Sequence, residues 1–239
     1  SLLTLDSGAT LVVQYDGSFD YDPRTSALLN ALAVGESATD TFTYRAIDAP
    51  TCGPPCEPIF SVETLVTITV FGVNDAPVVQ DVAGINAVED GVTVDGAFDG
   101  DDVDSDDDGS TLVYTITSVP AEGSVTNNSD GTFTFDPGAD FQDLAVGETR
   151  DVTFMYRATD SHAAMSNTGT ITGTVTGVND GPTAVDGTAS AVEDCPAVTG
   201  TFPGDDVDSD DSQSTLIYVI TSLPAEGTVT NNNDGTYSF

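Results

Sequence analysis

Lysine and tryptophan are absent from this chain of 239 residues, histidine occurs once, at His162, and the only other basic residues are Arg24, Arg45, Arg150 and Arg157. Each gap closes off chemistry. Without lysine there is no P-loop nucleotide site, no Schiff-base enzyme and no Lys–Asn isopeptide crosslink. A single histidine leaves almost nothing for a zinc site or a general-base dyad. Ser161 and His162 beside Asp160 do not make a hydrolase, because adjacent residues at one strand end cannot converge and no nucleophile-elbow motif is present. Paired carboxylates for glycoside hydrolysis would need an aromatic cleft, yet there is no Trp, and Tyr and Phe recur at strand positions. The expectation is that this is not an enzyme. No apolar run approaches the ~20 residues of a membrane-spanning helix. Residues 1–5 are too short for a secretion signal, so the chain reads as a soluble window from something longer, with no direct membrane insertion.

What is abundant is acid. Aspartate and glutamate number 40, of which 32 are Asp, and the formal net charge is -36. Such a field repels phosphate backbones and anionic lipid, which excludes nucleic acid as a partner, and it attracts cations. With 38% hydrophobic and 8% aromatic residues the chain can still bury more than one core.

Helical periodicity is scarce. Apolar residues alternate with Thr, Ser and Asp in short runs such as 111–118 and 152–158, the mark of half-buried strands. Phe133, Phe135, Phe154 and Tyr156 fall on the inward side of that alternation. Turn signals at Asp16-Gly17, residues 128–131 and Asp234-Gly235 sit between alternating runs in the hairpin manner. The one expected helical stretch is 140–146, a turn or two at a crossover. The fold class is all-β, an antiparallel sandwich.

Internal repetition organises the chain. Residues 88–135 align without a gap on residues 192–239, an offset of 104, with 33 identities over 48 positions. YDGSFDYDP (15–23) matches SDGTFTFDP (129–137), AVGE recurs at 33 and 145, FTYRAID (42–48) matches FMYRATD (154–160), and GVND occurs at 72 and 177. One unit is about a hundred residues, the size of a seven-stranded sandwich. The expected domains are the later part of one repeat (1–77), a whole repeat (78–182) and the opening of a third (183–239). Residues 1–21 and 219–239 both correspond to roughly 115–135 of the middle copy, which argues against a circular permutation that rebuilds one domain between neighbouring chains.

The acidic runs carry chemistry of their own. In DDVDSDDDG the carboxylates at 102, 104, 106 and 108 repel one another unless a cation sits among them or the loop stays disordered and solvated. The third copy keeps Asp205, Asp206, Asp208, Asp210 and Asp211 in the same frame, which favours the cation. Asp104, Asp106, Asp108 and Gly109 fit the opening of an EF-hand-like loop, but its twelfth position is Thr115 rather than Glu, and the third copy has Ser212 and Gln213 in place of Asp108 and Gly109.

GVNDAP (72–77) and GVNDGP (177–182), AVED (87–90 and 191–194), DDVDSDD (101–107 and 205–211) and the YRATD strand end together resemble the cadherin-like, VCBS-type repeats of large bacterial RTX-type surface adhesins. That resemblance implies tandem Ig-like sandwiches in an extended rod, joined by short linkers that bind Ca2+, displayed extracellularly on the cell surface and serving adhesion. It places a first cation junction on Asn74, Asp75, Asp102, Asp104 and Asp160, and a second on Glu89, Asn179, Asp180, Asp206 and Asp208. Asp106 and Asp210 in the loops, and Glu193 as the counterpart of Glu89, complete the metal candidates. Asp140 and Asp143 stand where cadherins carry an acidic mid-domain motif, although the local sequence departs from it, and Asp48 matches Asp160. Asn-Asp before Pro also reads as a plain turn.

Cys52 and Cys56 lie in a segment, 49–64, that exceeds the middle repeat by about seven residues. A local disulfide there suits an exported protein; two unpaired thiols are the alternative, since so short a loop gains little from closure. Cys195 is left over. Two functions from different classes fit: a calcium-stiffened extender projecting adhesive regions, whose partners are neighbouring repeats, and a subunit of a self-assembling filament or matrix that pairs with other copies of itself by strand complementation.

Overall fold

Alternation decides the main strands. In the computed structural model, which describes residues 2–48 and 57–239, the strand Thr149–Thr159 turns Val152, Phe154, Tyr156 and Ala158 inward, each almost completely buried. It belongs to a four-stranded sheet in the order Val113–Ser118, Thr149–Thr159, Gly169–Thr176, Val82–Val88. Gly169–Thr176 pairs in parallel with Val82–Val88, and Gly84, at φ +96°, is the extra residue of a bulge there, a conformation that favours glycine. A second, antiparallel sheet runs Val94–Ala97, Thr132–Asp136, Ser124–Asn127. Its inward Phe133 and Phe135 are fully buried.

The described residues form two compact units, one of residues 2–48, 57–80, 99–115 and 157–169, the other of residues 81–98, 116–156 and 170–239. The two sheets meet through an aromatic core. Phe133 meets Phe154 edge-on with ring centroids 5.1 Å apart, and Phe98 lies 5.2 Å from Phe133 and 4.9 Å from Tyr156. Phe141, Ile171 and Val175 are fully buried as well. In the third copy Phe202 lies 5.1 Å from Tyr237, as Phe98 lies against Phe133, and stacks at 5.2 Å on Tyr218, the counterpart of Tyr114.

The first unit holds the sheet Leu2–Thr4, Thr10–Val13, Phe19–Asp22 and an eight-pair antiparallel ladder between Ser37–Tyr44 and Thr64–Phe71. The first repeat differs from the middle one around buried Asp40. Asp40 and Tyr21 stand where the aligned middle repeat has Val152 and Phe135, and Asp40 accepts hydrogen bonds from Ser7 Oγ at 2.5 Å and Tyr21 Oη at 3.1 Å. Burial, and then Asp40, push the Tyr21 phenol up to about 12.

All three hairpin turns form. Asp130 accepts from Thr132 N and Oγ1, Asp234 does the same for Thr236, and Asp16 for Ser18, each beside a glycine with positive φ. The helix expected over 140–146 does not form; that stretch is a series of turns. Asp140 spends its carboxylate on the Gly123 amide at 2.8 Å instead of capping the following amides. In the first repeat Ser26 does cap, accepting from Leu29 N at 3.1 Å, and Ala27–Asn30 is helical. The third copy of the Val113–Ser118 strand also differs: residues 217–222 have no strand assignment, with Ile217 92% and Val219 76% exposed. In the middle repeat that strand is paired with Thr149–Thr159, whose counterpart is not among the 239 residues. The candidate pair Cys52 and Cys56 lies outside the described residues, and Cys195 is an exposed free thiol. Among the described residues no helix is long and apolar enough to cross a membrane.

Candidate metal centres

Two acidic clusters form, one in each unit, each built around a GVND segment. Their scaffold is the AVGE turn. Gly72 N donates to Glu36 O at 3.0 Å, and Gly177 N to Glu148 O at 2.9 Å. Any side chain at Gly72 would bring a Cβ within 2.2 Å of the Leu32 and Ala33 carbonyl oxygens, and at Gly177 within 2.3 and 2.4 Å of those of Leu144 and Ala145. The glycine of GVND is therefore fixed by close backbone approach.

In the first cluster Asn74 Nδ2 donates to Asp160 Oδ2 at 2.9 Å, and Asp75 N to Asp104 Oδ2 at 2.8 Å. Asp104 N in turn donates to Asp102 Oδ1 at 3.0 Å. The other Asp160 oxygen accepts from His162 N and Ala164 N. Asp75 contributes only its backbone, for its side chain is exposed. Asp106 lies at the rim, its Oδ2 3.7 Å from His162 Nδ1, with Asp107 close by.

In the second cluster Val178 N donates to Glu89 Oε1 at 2.6 Å, Asp180 N to Asp208 Oδ2 at 3.0 Å, and Asp208 N to Asp206 Oδ1 at 3.1 Å. Ligand oxygens of Glu89, Asp180 and Asp208 lie within 4.8 Å of one another, as do those of Asp208, Asp210 and Asp211. Glu89 is 1% exposed, and Asp104 and Asp208 are each 3% exposed. Here the linker aspartate turns in and Asn179 stays exposed, the reverse of the first cluster.

Six buried side-chain oxygens among the described residues have no hydrogen-bond partner: Asn74 Oδ1, Asp102 Oδ2 and Asp104 Oδ1 in the first cluster, Glu89 Oε2, Asp180 Oδ2 and Asp208 Oδ1 in the second. Buried oxygens left unpaired are costly and rare. The electrostatics agree. Burial raises Asp102, reinforced by Asp104 and Asp160; burial raises Glu89, reinforced by Asp180, Asp90 and Asp208; burial raises Asp180, reinforced by Asp90, Asp208 and Asp206. Asp160 and Asp107 go the other way: burial pulls each up, but hydrogen bonds from Asn74, Ala164 and His162 to Asp160, and from Ser161 and Thr111 to Asp107, outweigh it and leave both lowered.

Several candidates stand apart. Glu193 is exposed and joins neither cluster; no third GVND segment occurs in the sequence to meet it as Val178 meets Glu89. Asp143 is bound by Arg150, at 3.1 and 2.7 Å, and Asp140 by Gly123. Asp48 is exposed, in the two-residue strand Ile47–Asp48 paired with Ile59–Phe60. Sequence reasoning missed buried Asp107, which ties the loop to Ser161 N and Oγ at 3.1 and 2.7 Å. Its counterpart Asp211 in the other acidic loop was the available signal.

Residues 74–177 match the bacterial cadherin-like domain. Over its whole length the chain resembles the protocadherin gammaB7 EC3-6 cis-dimer structure, with a TM-score of 0.50 and 17% identity, covering 100% of this chain and 59% of that one. Mouse protocadherin-24 EC1-3 gives 0.50 at 12% identity, covering 98% and 74%. The protocadherin GammaB4 extracellular domain gives 0.47 at 15%, with this chain spanning 38% of its length. No curated protein matches. The fold is a cadherin-like β-sandwich.

Proposed function

We propose that this chain, with its cadherin-like domain at 74–177, is a set of calcium-stiffened extender repeats from a bacterial extracellular adhesin, carrying adhesive regions away from the cell surface. The observation behind it is the sorting of six orphaned buried oxygens into two sets of three, one at each GVND segment. Carboxylate and amide oxygens are the donors a hard divalent cation takes, and flexible oxygen-rich sites favour calcium over magnesium. Asn74, Asp102, Asp104 and Asp160 would hold it in the first cluster, Glu89, Asp180, Asp206 and Asp208 in the second. Bound there, calcium supplies charge that offsets the repulsion among these carboxylates and ties the linker to the loop. Asp75 and Asp180 already offer their amides to the loop, so the backbone is set without the ion. The repeats then need no catalytic group, and specificity for a surface would lie outside them.

Small-angle scattering tests the stiffening. In millimolar calcium the chain should scatter as a single extended particle with one maximum dimension, and in chelator as a broader, hinged ensemble. Identical profiles would remove the spacer role, and concentration-dependent polymers would favour assembly by strand complementation instead.

A further inference from the structure

Each acidic loop DDVDSDD contains one residue, Ser105 or Ser209, that is neither acidic nor apolar. Neither serine points at its carboxylate neighbours. Ser105 Oγ donates to Glu36 Oε2 at 2.6 Å, and its amide donates to Ala31 O at 2.9 Å. The same Glu36 oxygen accepts from Ala33 N at 3.1 Å. The second copy reproduces all three bonds: Ser209 Oγ to Glu148 Oε2 at 2.6 Å, Ser209 N to Asp143 O at 3.0 Å, and Ala145 N to Glu148 Oε2 at 3.1 Å.

The separations along the chain are not the same. Glu36 and Ser105 are 69 residues apart, Glu148 and Ser209 only 61, most of the difference being the inserted segment around Cys52 and Cys56. Geometry is kept while spacing changes, so the contact is a property of the joint rather than of the local sequence. Neither glutamate is among the six oxygens left orphaned, and each turns its carboxylate to the serine and to its own turn. The Ser105 hydroxyl first, and the Ala33 amide second, hold the Glu36 carboxyl below its usual range.

We propose that Ser105 with Glu36, and Ser209 with Glu148, are metal-independent latches that register each acidic loop on the AVGE turn of the preceding repeat. Their role is positional. By fixing the loop through one serine, each latch presents Asp104 or Asp208 to the linker amide in advance, so that a ligand arriving at the cluster has less disorder to remove. The inference does not depend on which cation, if any, the clusters hold.

Amide hydrogen exchange, read residue by residue on the full chain in chelator, tests this. The amides of Ser105 and Ser209 should be protected at least about tenfold relative to unbonded loop amides. Ser105→Ala should abolish most of the protection at 105 and leave 209 unchanged, which reports on folding within the same sample. Ser105→Thr keeps the hydroxyl and should keep the protection. Exchange at 105 and 209 as fast as in unbonded loops, or protection unchanged in Ser105→Ala, would overturn the latch. Because no metal is present, failure of the calcium reading leaves this result intact, and the converse holds.

Discussion

Replacing Asp104 and Asp208 together by asparagine should remove most of the stabilisation that calcium gives this chain. Both carboxylates are 3% exposed, and each accepts a linker amide on one oxygen while the other has no partner. Asparagine keeps an oxygen for the Asp75 or Asp180 amide and deletes the charge, so the fold survives and the cation loses its central donor. Extracellular calcium modules typically bind with Kd about 10⁻⁴ to 10⁻³ M. At a hundredfold excess over Kd each site contributes about 2.7 kcal/mol. The two clusters share no residue, so the losses should add, and each single variant should forfeit about half of the calcium-induced gain. In chelator the order should reverse, with the double variant as stable as the parent chain or more so, since repulsion has been relieved. An unchanged calcium-induced shift in Tm would contradict the assignment of these two residues.

Acidity should act on the metal-free chain in a bell. Glu89, Asp102 and Asp180 are raised in the folded state, so their contribution is fully present below the ordinary carboxylate pKa of about 4 and is lost as pH climbs through their raised values. Asp160 and Asp107 are lowered, so theirs is present above that pKa and is lost as pH falls below it. The two trends cross near pH about 4, where stability in chelator should peak. Calcium competes with protons for the same oxygens, and with it the maximum should move toward neutral pH. Thermal melts across pH, with and without chelator, read this directly; a metal-free maximum near neutrality would show that the clusters are not strained by their own charge.

The sequence carried the sandwich because local pattern and tertiary burial agree there: Phe133 and Phe135, and Phe154 and Tyr156, alternate in the sequence and fill the core. It failed where tertiary pairing overrides pattern. The run Ile217–Ser222 nearly repeats Val113–Ser118, yet only the copy with a partner strand is a strand. Asp140 looked like a helix start but is held by Gly123 across a loop. Asn74, Asp102, Asp104 and Asp160 were grouped by the resemblance to cadherin-like repeats, and hydrogen bonds link Asn74 to Asp160 and Asp104 to Asp102. Which linker residue turns inward was not legible, since Asn74 is fixed by Asp160, 86 residues away. AVGE was visible as a repeat, but its use as the seat of Gly72 and Gly177, and of Ser105 and Ser209, depends on contacts between elements far apart in the chain.

Equilibrium calcium binding, measured by titration calorimetry on the full chain at neutral pH with magnesium as the competitor, addresses the central claim most directly. The expected result is saturable binding at submillimolar to millimolar calcium, barely displaced by equimolar magnesium and lost in the Asp104→Asn, Asp208→Asn chain. Weak, unsaturable uptake that magnesium matches ion for ion would mean that the clusters are only solvated charge, and the calcium-stiffened spacer would fall with them.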